Sequence, residues 1–366
     1  MSGLAEIVAT YGKEYLNKFE GRMLPSHKRA LEDILACRTE AMGGNLCECE
    51  ECGYQHYAYH SCKNRSCPTC HSSDTKKWLE KREVELLPIR YFHAVFTIPS
   101  ELRDIVRSNQ KLLYAVLTRA AVDTLQKIGL DPKFVGCKLS MMTVLHTWTR
   151  ALEFHPHVHM LVPGGGLDKD GVWRSARKKF LVPVQALSRM FRARFMKLAR
   201  LALPEATFAQ EVWNKEWVVF CKPTFNRARN VLRYLGRYVH RIAITNDRIL
   251  STKDSTVTFR YQESKSGTWK TMSLQGEEFL RRYLQHVLPR GFHKVRYYGI
   301  LSPANRGTLK TVQLLLADWQ KSKEEEKQET AEATSKSVCP CCKEGTMVII
   351  SWLPRKPRSP PDGDMA

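Results

Sequence analysis

The feature that most constrains how this chain can fold is a pair of Cys-x2-Cys motifs near its N-terminus. Cys49 and Cys52 form the first motif, Cys67 and Cys70 form the second, and fourteen residues separate them. Each motif makes a tight turn that presents two thiolates to one ion, so two turns complete a tetrahedron around zinc. Since residues 36–72 are too polar to form much of a core, the ion would supply on the order of 10 kcal/mol of folding free energy. The spacing therefore predicts one structural zinc held by these four cysteines.

Other cysteines leave alternatives open. Cys62 or a nearby histidine could replace one of the four ligands, and a second ion could bind beside the first. Near the C-terminus, Cys339, Cys341 and Cys342 provide only half a site, which either finds partners elsewhere in the fold or stays free. Twelve cysteines in a chain without a signal-type apolar segment after Met1 indicate reduced thiols and metal sites rather than disulfides.

The charge of the chain points to a polyanionic partner. Its 366 residues carry a formal net charge of +21, and 43% of them are hydrophobic, which is enough for two or more domains with a substantial core. Nucleic acid is the partner that best explains such an excess of Lys and Arg, whereas an inert basic surface is the alternative. No apolar run reaches the length of a membrane span, so we expect an intracellular protein with no membrane partner.

The hydrophobic pattern divides the chain into four parts. We expect a helical and zinc-binding N-terminal domain, a larger domain of strands and helices, a charged linker and a Cys-containing basic tail, at residues 1–88, 89–319, 320–337 and 338–366. In the larger domain, the mostly apolar residues 91–98 predict a buried strand. Two further strands are predicted at residues 138–148 and 157–163, and helices at 183–201 and 226–240.

Alternating histidines in the second of these paired strands predict a metal centre. His157 and His159 project from the same face of a strand, with their Cα atoms roughly 6–7 Å apart. Two imidazoles on one rigid strand bind a divalent ion when a neighbouring element supplies a third ligand. We expect His146, on the preceding strand, to be that ligand, and Glu153 and His155 are its rivals.

Two tyrosines follow about eighty residues later. Tyr234 and Tyr238 are four residues apart, so a helix would place them on one face, about 6 Å from each other. Basic residues that suit DNA phosphates accompany them: Lys222, Arg233, Arg237 and Arg241. A tyrosine oxygen next to a metal ion can attack a DNA phosphate, so that the 3′-hydroxyl leaves and a 5′-phosphotyrosine remains. Ionising a phenol of pKa near 10 at neutral pH costs about 4 kcal/mol, and an ion that polarises the phosphate would offset the charge that develops there.

These motifs occur together with several others that extend the pattern over residues 25–310. As a set they resemble the HUH endonucleases and, more narrowly, the rolling-circle transposases of the insertion sequence ninety-one family. The segments that carry the resemblance are residues 31–39, 61–70, 92–99, 146–148, 155–159, 164–166, 234–238 and 296–299.

The resemblance implies an α+β fold, in which an N-terminal Cys-rich zinc-binding module precedes an HUH nuclease domain with a central antiparallel sheet flanked by helices. It implies magnesium or manganese at His157 and His159, and nucleophilic roles for Tyr234 and Tyr238. The expected partners are single-stranded DNA at the element ends, target DNA, and a host helicase with the replication machinery. The expected location is the bacterial cytoplasm, at the nucleoid.

Two alternative functions remain open at this point. A plasmid replication initiator or relaxase would use the same HUH chemistry, and an adjacent plasmid origin rather than terminal hairpins would identify it. A non-catalytic, zinc-dependent DNA-binding protein would show the loss of a site residue, whereas His157, His159, Tyr234 and Tyr238 are all present.

Overall fold

The computed structural model describes most of the chain. The described residues are 3–70, 78–177, 179–224, 236, 239, 242–263, 266–321 and 338–356. Helices α1 to α8 span Leu4–Phe19, Pro25–Ala36, Arg103–Ser108, Gln110–Gly129, Val184–Ala202, Glu211–Asn214, Gly276–Leu284 and Arg306–Lys321. Strands β1 to β14 span Gly44–Cys49, Gln55–Tyr59, Tyr91–Thr97, Lys138–Leu139, Met141–Trp148, Phe154–Pro163, Gly165–Leu167, Trp173–Ser175, Val219–Pro223, Ile249–Lys253, Thr256–Gln262, Trp269–Gln275, Val295–Tyr298 and Met347–Leu353.

A five-stranded antiparallel sheet forms the centre of the molecule, with the strand order β13-β5-β6-β3-β9. All eight residues of β5 are buried, as are six of the seven residues of β3. Continuous apolar runs of this kind are typical of strands that are covered on both faces. The predictions of a buried strand near residue 91 and of paired strands around residues 138–148 and 157–163 are confirmed.

Each face of the central sheet has its own apolar layer. On one face, alternate residues such as Phe92, Phe96 and Val158 pack against α4 and α5, which contribute Leu117 and Phe191. The opposite face carries a smaller cluster that includes Tyr91, Val144, Leu161, Val239 and Val312 of α8. Since neighbouring residues of a strand point to opposite faces, this second layer shares its face with the alternating histidines. The α+β class and the flanked antiparallel sheet are confirmed.

The N-terminal helices do not form a core by themselves. Leu4, Ile7 and Leu31 pack in one cluster with Phe259 and Phe279, which belong to the β10-β11-β12 sheet and to α7. Helix α1 therefore lies against elements that follow it by some 250 residues in the chain. The Leu4 amide also donates a hydrogen bond to Asn246 Oδ1, 242 residues later, at 3.1 Å. The four-part division of the chain stays a prediction.

A second small sheet joins the two ends of the chain. Its order is β14-β1-β2, so the strand at Met347–Leu353 pairs antiparallel with β1 in the Cys-rich module.

The part of the chain that the structure describes includes no helix that is both long and apolar enough to cross a bilayer.

Candidate metal centre and nucleic-acid interface

Three histidines converge on one face of the central sheet. His146 of β5 lies directly opposite His157 of β6, and His159 follows two residues later on the same face. The ring centroids are 5.5 Å apart for His146 and His157, 4.7 Å for His146 and His159, and 4.8 Å for His157 and His159. One nitrogen of each ring lies within 4.8 Å of the other two. The structure thus brings together the three histidines predicted from the sequence.

Hydrogen bonds orient two of these rings. His157 Nδ1 lies 2.6 Å from the carbonyl oxygen of His155 and donates to it, so Nε2 is the atom that His157 offers to an ion. His159 Nδ1 lies 2.9 Å from Nε2 of His93, and the two rings stack with centroids 5.1 Å apart. Burial lowers the pKa of His93 to about 4, so its neutral ring can accept the proton of His159 Nδ1. This contact assigns Nε2 of His159 as its ligand atom.

The two rivals for the third ligand position are placed differently. Nδ1 of His155 lies 2.9 Å from Nη2 of Arg103, and both burial and the Arg103 charge lower its pKa. Glu153 is exposed at the turn between β5 and β6. Neither side chain belongs to the group of mutually close ligand atoms that His146, His157 and His159 form among the described residues.

The donor set fits a divalent ion. Three imidazoles on two rigid strands leave coordination positions for phosphate oxygens. Of the two ions implied by the family resemblance, manganese suits nitrogen ligands better, because magnesium prefers an octahedron of oxygens.

Basic and aromatic side chains flank the histidines on the same face. Lys222 of β9 lies opposite His93, and side chains directly opposite each other in an antiparallel pair share a face. Its Nζ is 5.3 Å from the ring of Phe220, which is 38% exposed. On the other side of the centre, Trp148 stacks on His146 at 4.8 Å, and Lys294 Nζ lies 5.0 Å from the Trp148 ring. The Trp148 ring is buried, whereas the exposed Phe220 ring and the ammonium group of Lys222 suit a single strand, whose bases and phosphates they can contact together.

The predicted tyrosines, Tyr234 and Tyr238, lie outside the described residues, as do Arg233, Arg237 and Arg241. Two residues of the same segment are described.

Val239 packs in the apolar layer that contains Val144 and Leu161, which are two positions from His146 and His159 on the same strands. A Cβ added at Gly236 would come 2.8 Å from Cδ2 of Leu79, so this position lies closely against its neighbour. Val239, one of the two described residues of the tyrosine segment, is therefore on the histidine face of the sheet.

The cysteines correct one prediction. Cys49, Cys52, Cys67 and Cys70 do not form one site, because Cys49 and Cys52 lie at the turn between β1 and β2, whereas Cys67 and Cys70 follow the far end of this hairpin. A five-residue strand separates two such ends by about 17 Å, which no single ion can bridge.

Cys67 and Cys70 instead group with Cys37 and Cys62. The Sγ atom of Cys70 lies 3.4 Å from that of Cys37 and 3.3 Å from that of Cys62. A hydrogen bond from Cys62 lowers the pKa of the Cys67 thiol to about 5, as expected for a thiolate ligand. Cys62, the predicted alternative, is thus part of this group. Sequence reasoning did not assign Cys37, although its place just before β1 puts it at the same end of the hairpin as Cys62.

Comparisons with known proteins found matching family models and relatives. A family model described as "Putative transposase" matches residues 140–308, which contain the three histidines, and one described as "Transposase zinc-binding domain" matches residues 7–98. The chain is 36% identical to "Putative transposase y4qJ" of Sinorhizobium fredii, over 95% of this chain and 94% of that protein. It is 29% identical to "Transposase for insertion sequence element IS801" of Pseudomonas savastanoi pv. phaseolicola, over 78% of this chain and 72% of that protein. No solved structure matches.

These matches define a transposase with an N-terminal zinc-binding domain. The chain belongs to the IS91 family of transposases.

Proposed function

We propose that this transposase nicks and rejoins single-stranded DNA through a 5′-phosphotyrosine intermediate, and so mobilises an insertion sequence by rolling-circle strand transfer. One observation carries the proposal: His146, His157 and His159 converge on the face of the sheet where Val239 also packs. Val239 directly follows Tyr238 in the chain. A metal centre and a nucleophile on one face are what HUH-type chemistry requires.

The residues of the chain have separate tasks in this reaction. The phenolic oxygen of Tyr234 or Tyr238 attacks a backbone phosphorus, a tyrosine–phosphate bond forms, the bond from phosphorus to the 3′ oxygen breaks, and the 3′-hydroxyl leaves. His146, His157 and His159 would hold a manganese or magnesium ion, which would supply the positive charge that polarises the scissile phosphate. His93 holds His159 in the ligating orientation. Lys222 binds a phosphate beside the reacting one.

Two tyrosines support two consecutive transfers. The first would hold the 5′ end of the cut strand, and the second would attack at the other element end or in the target DNA. Because the phosphotyrosine bond conserves the energy of the phosphodiester, a free 3′-hydroxyl can reverse the reaction without a nucleotide cofactor. In this proposal a host helicase and the replication machinery separate and resynthesise the strands.

A gel assay tests the proposal. Full-length protein is mixed with labelled single-stranded DNA from the element ends, in manganese, in magnesium and in chelator. We expect a denaturation-resistant protein–DNA adduct that needs the metal. It should disappear in the double variant Tyr234→Phe with Tyr238→Phe and persist in the matched control Tyr261→Phe, a tyrosine of the distant strand β11. An adduct that survives in the double variant would overturn the assignment of the nucleophiles.

A further inference from the structure

We propose that Cys49, Cys52, Cys339 and Cys342 bind a second zinc ion, distinct from an ion held by the group of Cys37, Cys62, Cys67 and Cys70. The four side chains form one of the groups whose ligand atoms lie within 4.8 Å of one another. The matched zinc-binding region ends at residue 98 and the matched transposase region at residue 308. The C-terminal half of this second site therefore lies beyond both regions.

The sulfur positions suit zinc and exclude disulfides. The Sγ atoms of Cys49 and Cys342 are 3.8 Å apart, and those of Cys52 and Cys339 are 3.7 Å apart. In a tetrahedral site with zinc–sulfur bonds of about 2.3 Å, neighbouring sulfurs are separated by about 3.8 Å. A disulfide would require about 2.0 Å.

The two Cys-x2-Cys turns have the same backbone conformation, although one is near each end of the chain. In the first turn Gly53 has a φ of 66°, and its amide donates to the carbonyl oxygen of Cys49 at 3.0 Å. In the second turn Lys343 has a φ of 62°, and its amide donates to the carbonyl oxygen of Cys339 at 3.0 Å. A non-glycine residue in this left-handed region is uncommon. Lys343 adopts it at the position that Gly53 takes in the first turn.

Backbone amides also point at the sulfurs of the second turn. The Cys341 amide donates to Cys339 Sγ at 3.4 Å, and the Gly345 amide donates to Cys342 Sγ at 3.3 Å. A Cβ added at Gly345 would come 2.5 Å from Cys49 Sγ, so only glycine lets the C-terminal backbone approach so closely. Such an approach, with amides aimed at sulfur, is what a thiolate–metal site needs.

The strand that follows the second turn leaves much of its apolar surface exposed. Strand β14 pairs with β1 from Met347 opposite Cys49 to Leu353 opposite Gly44. Ile349, Ile350 and Trp352 of this strand are 51%, 48% and 72% exposed. Since burial contributes so little, the ion would supply the free energy that joins β14 to the N-terminal sheet. The metal would thus connect the two ends of the transposase.

Zinc content tests the second site. Metal analysis of full-length protein should give two zinc ions per chain. The double variant Cys339→Ser with Cys342→Ser should retain one, and its retention would show that the N-terminal module still folds. The matched control is Cys341→Ser, because Cys341 is exposed in the same turn but lies outside the ligand group, and this variant should retain two. One zinc per wild-type chain, or two in the double variant, would overturn the proposal.

Two further measurements keep the test decisive if the double variant loses all its zinc. Cobalt titration of the metal-free wild type should show two equivalents with thiolate charge-transfer bands, and a single equivalent would contradict the second site.

A protease site placed within residues 322–337 then tests whether the ion joins β14 to the N-terminal sheet. After cleavage the C-terminal fragment should co-elute with the remainder in Cys341→Ser and separate in the double variant. Co-elution in the double variant would show that zinc does not join the two ends. None of these readouts depends on DNA cleavage.

Discussion

At the histidine centre, neighbouring residues determine which ring atom each imidazole offers. His157 is held by the carbonyl group of His155, and His159 is held by the buried ring of His93. A ligand whose second nitrogen is fixed loses less rotational freedom when an ion binds, and its correct tautomer is already present. His93 is therefore a positioning residue for the proposed centre.

The manganese affinity of single variants should distinguish histidines that bind the ion from histidines that only contact those ligands. His159→Ala removes a ligand and should weaken manganese binding at least 100-fold, whereas His93→Leu removes an orienting contact and should weaken it about 10-fold. His155→Gln keeps the backbone carbonyl that holds His157 and should bind manganese as the wild type does. Isothermal titration calorimetry gives the three affinities. Equal losses in His155→Gln and His159→Ala would show that the centre is not the one described.

Sequence reasoning located part of this centre. The alternation of His157 and His159 predicts a shared face because the period of a strand is two, and a short connection makes His146 a neighbour because adjacent strands pair. His93 was missed, although a lone histidine within the apolar run from Tyr91 to Phe96 was a signal for a buried polar contact. Whether this histidine is buried depends on which strands pair with β3. Its partner β6 lies some sixty residues later in the chain, so the local sequence does not show the pairing.

At the scale of elements, the helix predicted at residues 183–201 agrees with the structure, and the helix predicted at residues 226–240 lies outside the described residues except at positions 236 and 239. The prediction based on the proximity of cysteine ligands does not agree with the structure. The helix predicted at residues 183–201 is observed at Val184–Ala202, because its apolar residues repeat with helical spacing. The four cysteines predicted to form one zinc site do not lie together, because the hairpin sends Cys49 and Cys67 to opposite ends. The cysteines that group with them include Cys37, from before β1, and Cys339 and Cys342, from the C-terminal region.

The segment after α7 should make the fold sensitive to acid. His286 is 5% exposed, lies 3.3 Å from Leu152 O and from Thr147 Oγ1, and burial lowers its pKa to about 4. In the unfolded chain the pKa is 6.5. The unfolded state therefore binds more protons between these values, so stability is fully present above pH 6.5 and is lost as the pH falls towards 4.

We expect this histidine to lower the free energy of unfolding by about 2 kcal/mol between pH 7 and pH 5. His286→Gln keeps a polar group at the position but cannot titrate, so its loss of stability over the same interval should be smaller by that amount. Urea unfolding of both proteins at both pH values measures the difference. Identical pH dependence in the two proteins would contradict a neutral, buried His286.

At the scale of the whole molecule, the features that could not be predicted from the sequence are contacts between residues far apart in the chain. Helix α1 shares a core with α7 and β11, and β14 joins the sheet of β1. Such contacts depend on which surfaces meet after 200 residues or more, and no local period encodes them. Sequence reasoning treated the C-terminal cysteines as half a site with unknown partners, and the fold places Cys49 and Cys52 beside them.

The net charge of +21 should make DNA binding strongly dependent on salt. Each phosphate that the protein neutralises releases counterions, so the logarithm of the affinity falls linearly with the logarithm of the salt concentration. Lys222→Ala should reduce the slope by about 1, because one phosphate contact is lost. Lys253→Ala, an exposed lysine of the separate β10 strand, is the control and should leave the slope unchanged. Fluorescence anisotropy with single-stranded DNA gives the slopes, and a flat titration would refute a phosphate-binding surface.

The most direct test of the proposed chemistry is to identify the residue that becomes attached to DNA. Protein–DNA adducts formed with manganese are digested with nuclease and protease, and the peptides are analysed by mass spectrometry. We predict a peptide that carries a nucleotide linked through its 5′-phosphate to Tyr234 or Tyr238. A nucleotide on any other residue, or a 3′-phosphate linkage, would contradict the assignment of these tyrosines as nucleophiles of a rolling-circle transposase.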